Sequence, residues 1–493
     1  MAGSSRGYVS AAGYDIAWQA AQTPAHLAVV CAMAGVSWQL RDRMQIADLG
    51  CGRGYTVNTL AAANPDWSVL GLDSDPVNIA EGLQTAAEAG LGNAFFAETD
   101  LGAITDEEIE RLPVLDVALV HGVWSWVSDE VRAGILRVLS RRLKPGGIAY
   151  FGYNALPASQ ADFALQRLLR HLAGPLGTSA EEVLAAAARA MDRLREIAPR
   201  LKLQPTPMLK RLLAEPVELS PAFVAHEFLT EHWRPCYPED LQAALAPAKL
   251  DFVGSCNLFE HIPGLVCDAA QLAVLETLPP GMAREFLKDL CLPRAFRADV
   301  FVRGGRRVNP MAAMNSLLLA PCRPLPEEGP VLVTGTGKAT FAPEVWREIA
   351  AALEDGPKSV GRLCAMVSEN APGPAELLAV LDGTSLVLPA FRPPSPTPAA
   401  TRFNIAAAAI HARRGDEAGH FALASPVAAG GLPASSLDLA LVGALLDGTP
   451  PSPAQLARRL QPHRDAEGLE RAAGIIEAHL GERMPIWQRF GVI

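Results

Sequence analysis

Between Gln45 and Asn154 short apolar runs alternate with helical segments, and this alternation constrains the fold more than any other feature of the chain. The runs predict strands at Gln45–Leu49, Ser68–Leu72, Ala94–Ala97, Leu115–Val120 and Ile148–Tyr153, with helices near Thr56–Ala63, Val77–Ala89 and Asp129–Leu143. Strands joined only through helices must run parallel, and the crossovers cover both faces of the sheet. The expected class is therefore α/β, a doubly wound sheet. Asp129 and Glu130 open the last helix while Arg141, Arg142 and Lys144 close it, matching the macrodipole at both ends.

Beyond Asn154 the sequence turns rich in Ala, Leu and Arg. Ser179 and Glu182 form a capping-box pattern ahead of the apolar positions Val183, Leu184, Ala187, Met191, Leu194 and Ala198. Leu250–Gly254 and Asp299–Arg303 have strand character and are expected to complete the sheet as an antiparallel edge. Three short helical patterns, Val345–Leu353, Val360–Val367 and Ala375–Leu381, lead into a strand at Ser385–Leu388, the order of a winged helix. The resulting division is 1–160 for the sheet domain, with 236–310 completing its sheet, and 161–235 for a helical insertion serving regulation or dimerisation. A winged-helix-like middle domain follows at 320–390, then a Pro-rich linker at 391–401 and a mostly helical module at 402–493. At 493 residues the chain exceeds the size of one domain, about 150 residues, so several are expected.

Charge narrows the function classes. The net charge is −10 and residues 1–155 alone carry −7, which argues against nucleic acid as a partner, since phosphate affinity comes from clustered cations. Eight scattered cysteines form no C-x-x-C pair, so neither a zinc ribbon nor a disulfide framework is implied, and His226-Glu227 with His232 lacks the H-E-x-x-H spacing of a zinc protease. No metal is expected. The first apolar run, Leu27 to Val36, begins late and follows Asp15, unlike a signal peptide, and no run reaches membrane-spanning length. A cytoplasmic protein with no membrane insertion is expected.

The chemistry concentrates where the first strand turns into the first helix. Asp48-Leu49-Gly50-Cys51-Gly52-Arg53-Gly54 lets backbone approach a ligand closely at the carboxyl end of a strand. A nicotinamide or flavin fingerprint needs glycine at position 55, where Tyr55 stands. S-adenosylmethionine fits instead: its methionine tail can lie along Gly50, Cys51, Gly52 and Gly54 while Asp48 holds the ammonium. Asp73, with Ser74 beside it, ends the second strand where a carboxylate can accept both ribose hydroxyls. Asp100 and Leu101 follow the third strand and suit the adenine, and His121 follows the fourth, next to the sulfonium position. Structural alternatives stand beside these roles: Asp73 as a helix cap, Asp100 as a turn acid, Trp124 and Trp126 as ordinary core.

Asp48 to Gly54, Asp73, Asp100 and Leu143-Lys144-Pro145-Gly146-Gly147 together resemble a class I, Rossmann-like S-adenosylmethionine-dependent methyltransferase. A longer resemblance is to bacterial methyltransferases with a methyltransferase regulatory region, the group that holds the rickettsial protein-lysine methyltransferases. It rests on Gln22-Thr23-Pro24, His121 to Val127, Tyr153-Asn154-x-Leu156-Pro157, Ala225 to Leu229 with His232 to Pro235, Asp299 to Gly304, and Ala424 to Val427 with Gly430-Gly431. Trp124 and Ala158 depart from that pattern, which has Tyr and Gly there. The resemblance implies methyl transfer to lysine side chains of a protein substrate by a homodimer. His121, Tyr153 and Asn154 would orient the amine, and Tyr14, Trp124 and Trp126 would form the substrate pocket. Two other readings remain: a small-molecule O- or N-methyltransferase, and a protein that binds S-adenosylmethionine without turnover. The C-terminal module, 391–493, is expected to grip substrate more than to support cofactor binding.

Overall fold

The computed structural model describes residues 18–493 apart from 178, 215, 217, 293, 368–369 and 415–419. Five strands run parallel: β1 (Gln45–Leu49), β2 (Ser68–Asp73), β3 (Ala94–Glu98), β4 (Leu115–His121) and β5 (Leu143–Asn154). Two more, β6 (Leu250–Ser255) and β7 (Phe296–Arg303), extend the sheet to the order β3-β2-β1-β4-β5-β7-β6, with β7 antiparallel to both neighbours. The edge expected from Leu250–Gly254 and Asp299–Arg303 is thus in place. The strand order reverses between β1 and β4, and the crevice at such a switch point, outside the carboxyl ends of the strands, is where doubly wound sheets bind ligands.

Helices α1 (Pro24–Met33), α2 (Tyr55–Ala63), α3 (Pro76–Glu88), α4 (Asp106–Arg111) and α5 (Asp129–Arg142) belong to this unit. Period-2 alternation divides the strands between two layers. Ile46, Val69, Val117, Leu119, Ile148, Tyr150 and Val300 join the core that contains α1 and α2; Ala47, Leu49, Ala118, Val120, Phe151, Tyr153 and Phe301 join the one under α5. By the same alternation Asp48, next to last in β1, and His121, last in β4, lie on the α1 side. Helix α1 is the apolar run Leu27–Val36 seen in the sequence; Thr23 caps it, accepting from the His26 N–H at 3.2 Å, and Pro24 takes the first position.

The insertion is helical, with Ser179 and Glu182 closing the expected capping box on Ala180–Ile197. In the middle region, helices Pro343–Glu354, Val360–Met366 and Pro374–Gly383 pack with a small sheet in which Leu318–Pro321 pairs with Lys358–Ser359 and Val387–Pro389. The central strand of this sheet, Leu318–Pro321, comes from upstream of the three helices.

The last hundred residues are mostly helical, as expected. They carry a hairpin, Phe421–Ser425 with Gly430–Ala434, beside their helices. The segment expected as a linker is fastened down: Arg392 donates to Asn64 Oδ1 at 2.7 Å, Phe391 N–H to the Val427 carbonyl at 2.8 Å, and a helix begins at Pro398. Tyr55, first residue of α2, donates to the Ala422 carbonyl at 2.6 Å, and Arg402, Arg413 and Arg414 bond α3 or the turn after it. Gly431 packs where a Cβ would lie 2.6 Å from Trp18 and Ala422, so the Gly430-Gly431 motif is a packing requirement. The C-terminal region is therefore part of the scaffold behind the glycine turn. Among the described residues no helix is long and apolar enough to cross a membrane.

Candidate functional site

The turn from β1 to α2 is held by backbone. Gly50 and Cys51 both donate to the Leu72 carbonyl, at 2.7 and 3.0 Å, and Gly54 donates to the Cys51 carbonyl at 3.1 Å. Gly50, Gly52 and Gly54 have φ of +91°, +52° and +74°, values that disfavour a side chain. Their surroundings differ. A Cβ on Gly50 would sit 2.4 Å from Val123, and one on Gly54 would sit 2.4 Å from Phe96, whereas one on Gly52 would meet nothing within 4 Å. The outer two glycines admit protein neighbours; the middle one faces open space, as a ligand cradle requires.

Three carboxylates follow the turn around the crevice. Asp73 Oδ2 accepts from the Gly52 N–H at 2.8 Å, tying the turn to the end of β2, and Oδ1 accepts from Asp75 N–H at 2.9 Å. The cap of α3 is Asp75, so Asp73 is not the helix cap that its sequence position also allowed. Burial raises its pKa, against the lowering effect of these bonds. Asp48 is 4% exposed and receives no hydrogen bond from the described residues; burial and then the charge of Asp73 push it up to about 7. A buried carboxylate in that state suits a bound ammonium. Asp100 Oδ1 accepts from the Gly102 N–H at 2.9 Å, and the buried Leu101 sits directly against α5: a Cβ on Gly134 would lie 1.6 Å from its carbonyl oxygen. Gly134 thereby sets the loop that would meet an adenine, a constraint that an isolated helical glycine does not announce in sequence. Ser74 is exposed at the lip, and the half-buried Cys51 points its thiol toward the Gly52 carbonyl, 3.5 Å away.

At the β4–β5 side, His121 Nδ1 lies 2.8 Å from the Tyr150 hydroxyl, with the rings stacked at 5.8 Å, and burial lowers its pKa to about 4. It is a neutral imidazole at physiological pH. Asn154 ends β5; its N–H donates to Ser125 Oγ at 2.8 Å, and its side-chain Oδ1 is buried without a partner among the described residues. Tyr153 takes a different part from the one expected. It is fully buried on the opposite face, donates to Asp299 at 2.7 Å, and joins a charge network in which Arg297 binds Asp299 and Asp289, each at 2.7 Å, and Glu285 at 3.0 Å. Its hydroxyl is committed there and unavailable to an acceptor.

Trp124 is likewise core rather than pocket: it is 5% exposed, packs edge-on against Phe151 at 5.7 Å, and lies under the Arg132 guanidinium at 5.5 Å. Trp126 stacks on Trp233 at 6.0 Å, and Phe163 packs on Trp233 at 5.2 Å, so residues of the insertion reach the strand ends. Tyr14 lies outside the described residues. The glycine turn, Asp48, Asp73, Asp100, His121 and Asn154 thus gather along one edge of the sheet, while Tyr153 and Trp124 do not join them.

The sequence matches a methyltransferase domain family over residues 47–149 and the predicted methyltransferase regulatory domain over 220–303. An uncharacterized protein of Synechocystis is 28% identical over 72% of this chain and 71% of its own length. A trans-aconitate 2-methyltransferase of Methylobacterium nodulans is 30% identical over 29% of this chain and half of its own. Among solved structures, PKMT2 from Rickettsia typhi, in complex with AdoHcy, has the same fold with a TM-score of 0.69 at 18% identity, covering 97% of this chain and all of that one. A glycine cradle with an open middle position, a buried carboxylate beside it that no described residue bonds, and these matches lead to one assignment: the chain is an S-adenosylmethionine-dependent methyltransferase that joins a methyltransferase domain to a methyltransferase regulatory domain.

Proposed function

We propose that the methyl acceptor is the side-chain amine of lysine in a protein substrate. The observation that carries this reading is the extent of the fold match: the rickettsial protein named PKMT2 aligns with 97% of the chain, insertion and C-terminal modules included, and the chain with all of that protein.

Cofactor binding falls to residues already described. Asp48 would take the ammonium, the N–H groups and open face of the Gly50–Gly54 turn the methionine tail, Asp73 the ribose hydroxyls, and Asp100 with Leu101 the adenine. S-adenosylmethionine supplies, when bound, a methyl group activated for in-line displacement. The chain's task is then alignment and water exclusion, and alignment alone is worth roughly 7–11 kcal/mol of the barrier. Lysine must arrive neutral from a reference pKa of about 10.4, which desolvation on leaving water favours. His121 is held neutral and so adds no positive charge against the incoming amine. Asn154 Oδ1 can accept an amine N–H, pointing the nitrogen lone pair away from itself.

The same reading takes the enzyme as a cytoplasmic homodimer whose partner is a polypeptide rather than a nucleic acid. The test is to incubate the protein with methyl-labelled S-adenosylmethionine and a bacterial extract and separate protein from small molecules. Base-stable label on protein, mapped to lysine by mass spectrometry, is the expected result. Label confined to small molecules would refute the reading.

A further inference from the structure

The segment matched as a regulatory domain begins at residue 220, far from the glycine turn in sequence, yet its strand β7 enters the catalytic edge of the sheet. Because β7 runs antiparallel to β5, its first residue, Phe296, lies opposite Asn154, the last residue of β5. The rest of β7 is largely buried, but Phe296 is 39% exposed. Its ring is 5.5 Å from that of His121, inclined at 60°. A Cβ placed on Gly152 would lie 2.5 Å from His121 Nδ1, 3.0 Å from Phe296 Cζ and 3.1 Å from the Tyr150 hydroxyl, so three rings from three strands converge over one glycine.

We infer that Phe296 walls the methyl-acceptor subsite, with the methylene stem of a lysine lying along its ring and the amine directed to Asn154 Oδ1; the choice of lysine rests on the function proposed above. The position follows from the sheet. The candidate cofactor groups occupy the ends of β1, β2 and β3, so an in-line acceptor must approach from the ends of β4, β5 and β7, where His121, Asn154 and Phe296 stand.

The occupant follows from the chemistry. Asn154 Oδ1 is a buried acceptor lacking a donor among the described residues, a state that native proteins rarely leave unexplained. An amine supplies that donor, whereas a carboxylate cannot. An exposed aromatic face covers an alkyl stem and attracts the cationic methylated products. The regulatory domain is on this account half of the acceptor site.

The experiment compares wild type, Phe296→Ala and Phe296→Tyr in the label-transfer assay, titrating extract protein, alongside calorimetric binding of S-adenosylmethionine and thermal melting. Exposure of Phe296 makes unfolding by the alanine variant unexpected, and the melt checks it. For Phe296→Ala the half-saturating extract concentration should rise about tenfold or more while cofactor affinity stays within about twofold, and Phe296→Tyr should recover most of the loss. The ratio of mono- to more highly methylated lysine should also shift, a change that a merely structural residue would not produce. Unchanged half-saturation in Phe296→Ala, or an equal loss of cofactor affinity, would overturn the subsite while leaving the lysine reading intact. Wild-type label found only in small molecules would instead overturn the lysine reading, and this occupant with it.

Discussion

Replacing Asp48 with asparagine should move stability and cofactor binding in opposite directions. In the free protein the carboxyl is 4% exposed and its pKa is raised from 3.8 to about 7, chiefly by burial. A folded-state pKa above the unfolded one means that the native state holds a proton the unfolded chain has released. Stability is therefore fully present below pH 3.8 and lost as pH rises through about 7. Three units correspond to about 4 kcal/mol at pH 8, of which roughly 2–3 kcal/mol is lost between pH 5 and pH 8. The amide of the Asp48→Asn variant cannot ionise, so that protein should lack this slope; burying the amide costs about 1–3 kcal/mol at every pH, leaving a modest net gain at pH 8. Urea titrations of the free protein at pH 5 and pH 8, followed by tryptophan fluorescence, measure the difference directly. Cofactor affinity should respond the other way, weakening about 10- to 100-fold in Asp48→Asn through loss of a charge-assisted bond. Wild-type affinity should also rise with pH through 7 and release a proton on binding, seen as a buffer-dependent calorimetric heat. Parallel pH slopes for the two proteins, or undiminished affinity in the variant, would refute the assignment of Asp48.

The glycine turn offers a paired test. Gly54→Ala, which meets Phe96 at 2.4 Å with φ at +74°, should lose roughly 2–4 kcal/mol of stability, while Gly52→Ala, with open space around it, should lose only about 1 kcal/mol and instead weaken cofactor binding in calorimetry. Tyr153→Phe removes one hydrogen bond from an Asp299 that Arg297 still holds, so thermal melting should show a loss of about 1 kcal/mol and the label-transfer assay an unchanged rate; a collapse in rate with a native melt would return Tyr153 to the catalytic set. Deleting residues 391–493 exposes Tyr55, Asn64 and the α3 surface, so cofactor affinity should fall together with methyl transfer; a truncated protein binding cofactor normally would show that the C-terminal region serves substrate alone.

Three of the strands are legible in the sequence because each ends at a residue with a local reason to end it: Gly50 after β1, Asp73 with the Asp75 cap after β2, Gly122 after β4. The site acids are legible for the same reason, since chain direction alone puts strand ends on one edge of a parallel sheet. Helix α1 does not announce itself as a helix, because its residues from Pro24 to Ala32 are buried all round, which erases the 3.6-residue period. The role of Tyr153 is hidden differently. Its partner Asp299 is 146 residues away, and only the register of β5 against β7 brings them together.

That register also reshapes what the length of the chain means. Read as a sequence, residues beyond the catalytic unit look like additions for gripping a substrate. In the fold they hold the catalytic unit itself from two sides. On one side β7 brings Phe296 to Asn154 and Arg297 to the Asp299 that anchors Tyr153. On the other, Arg414 binds Glu81 at 2.6 Å, and Glu81 lies 3.6 Å from Arg53 inside the glycine turn. Through these contacts a displacement of either appended region would act on a strand end or on the turn. On the function proposed above, a polypeptide bound across those regions would act on the geometry of methyl transfer through these contacts, which a lone catalytic domain has no means to sense.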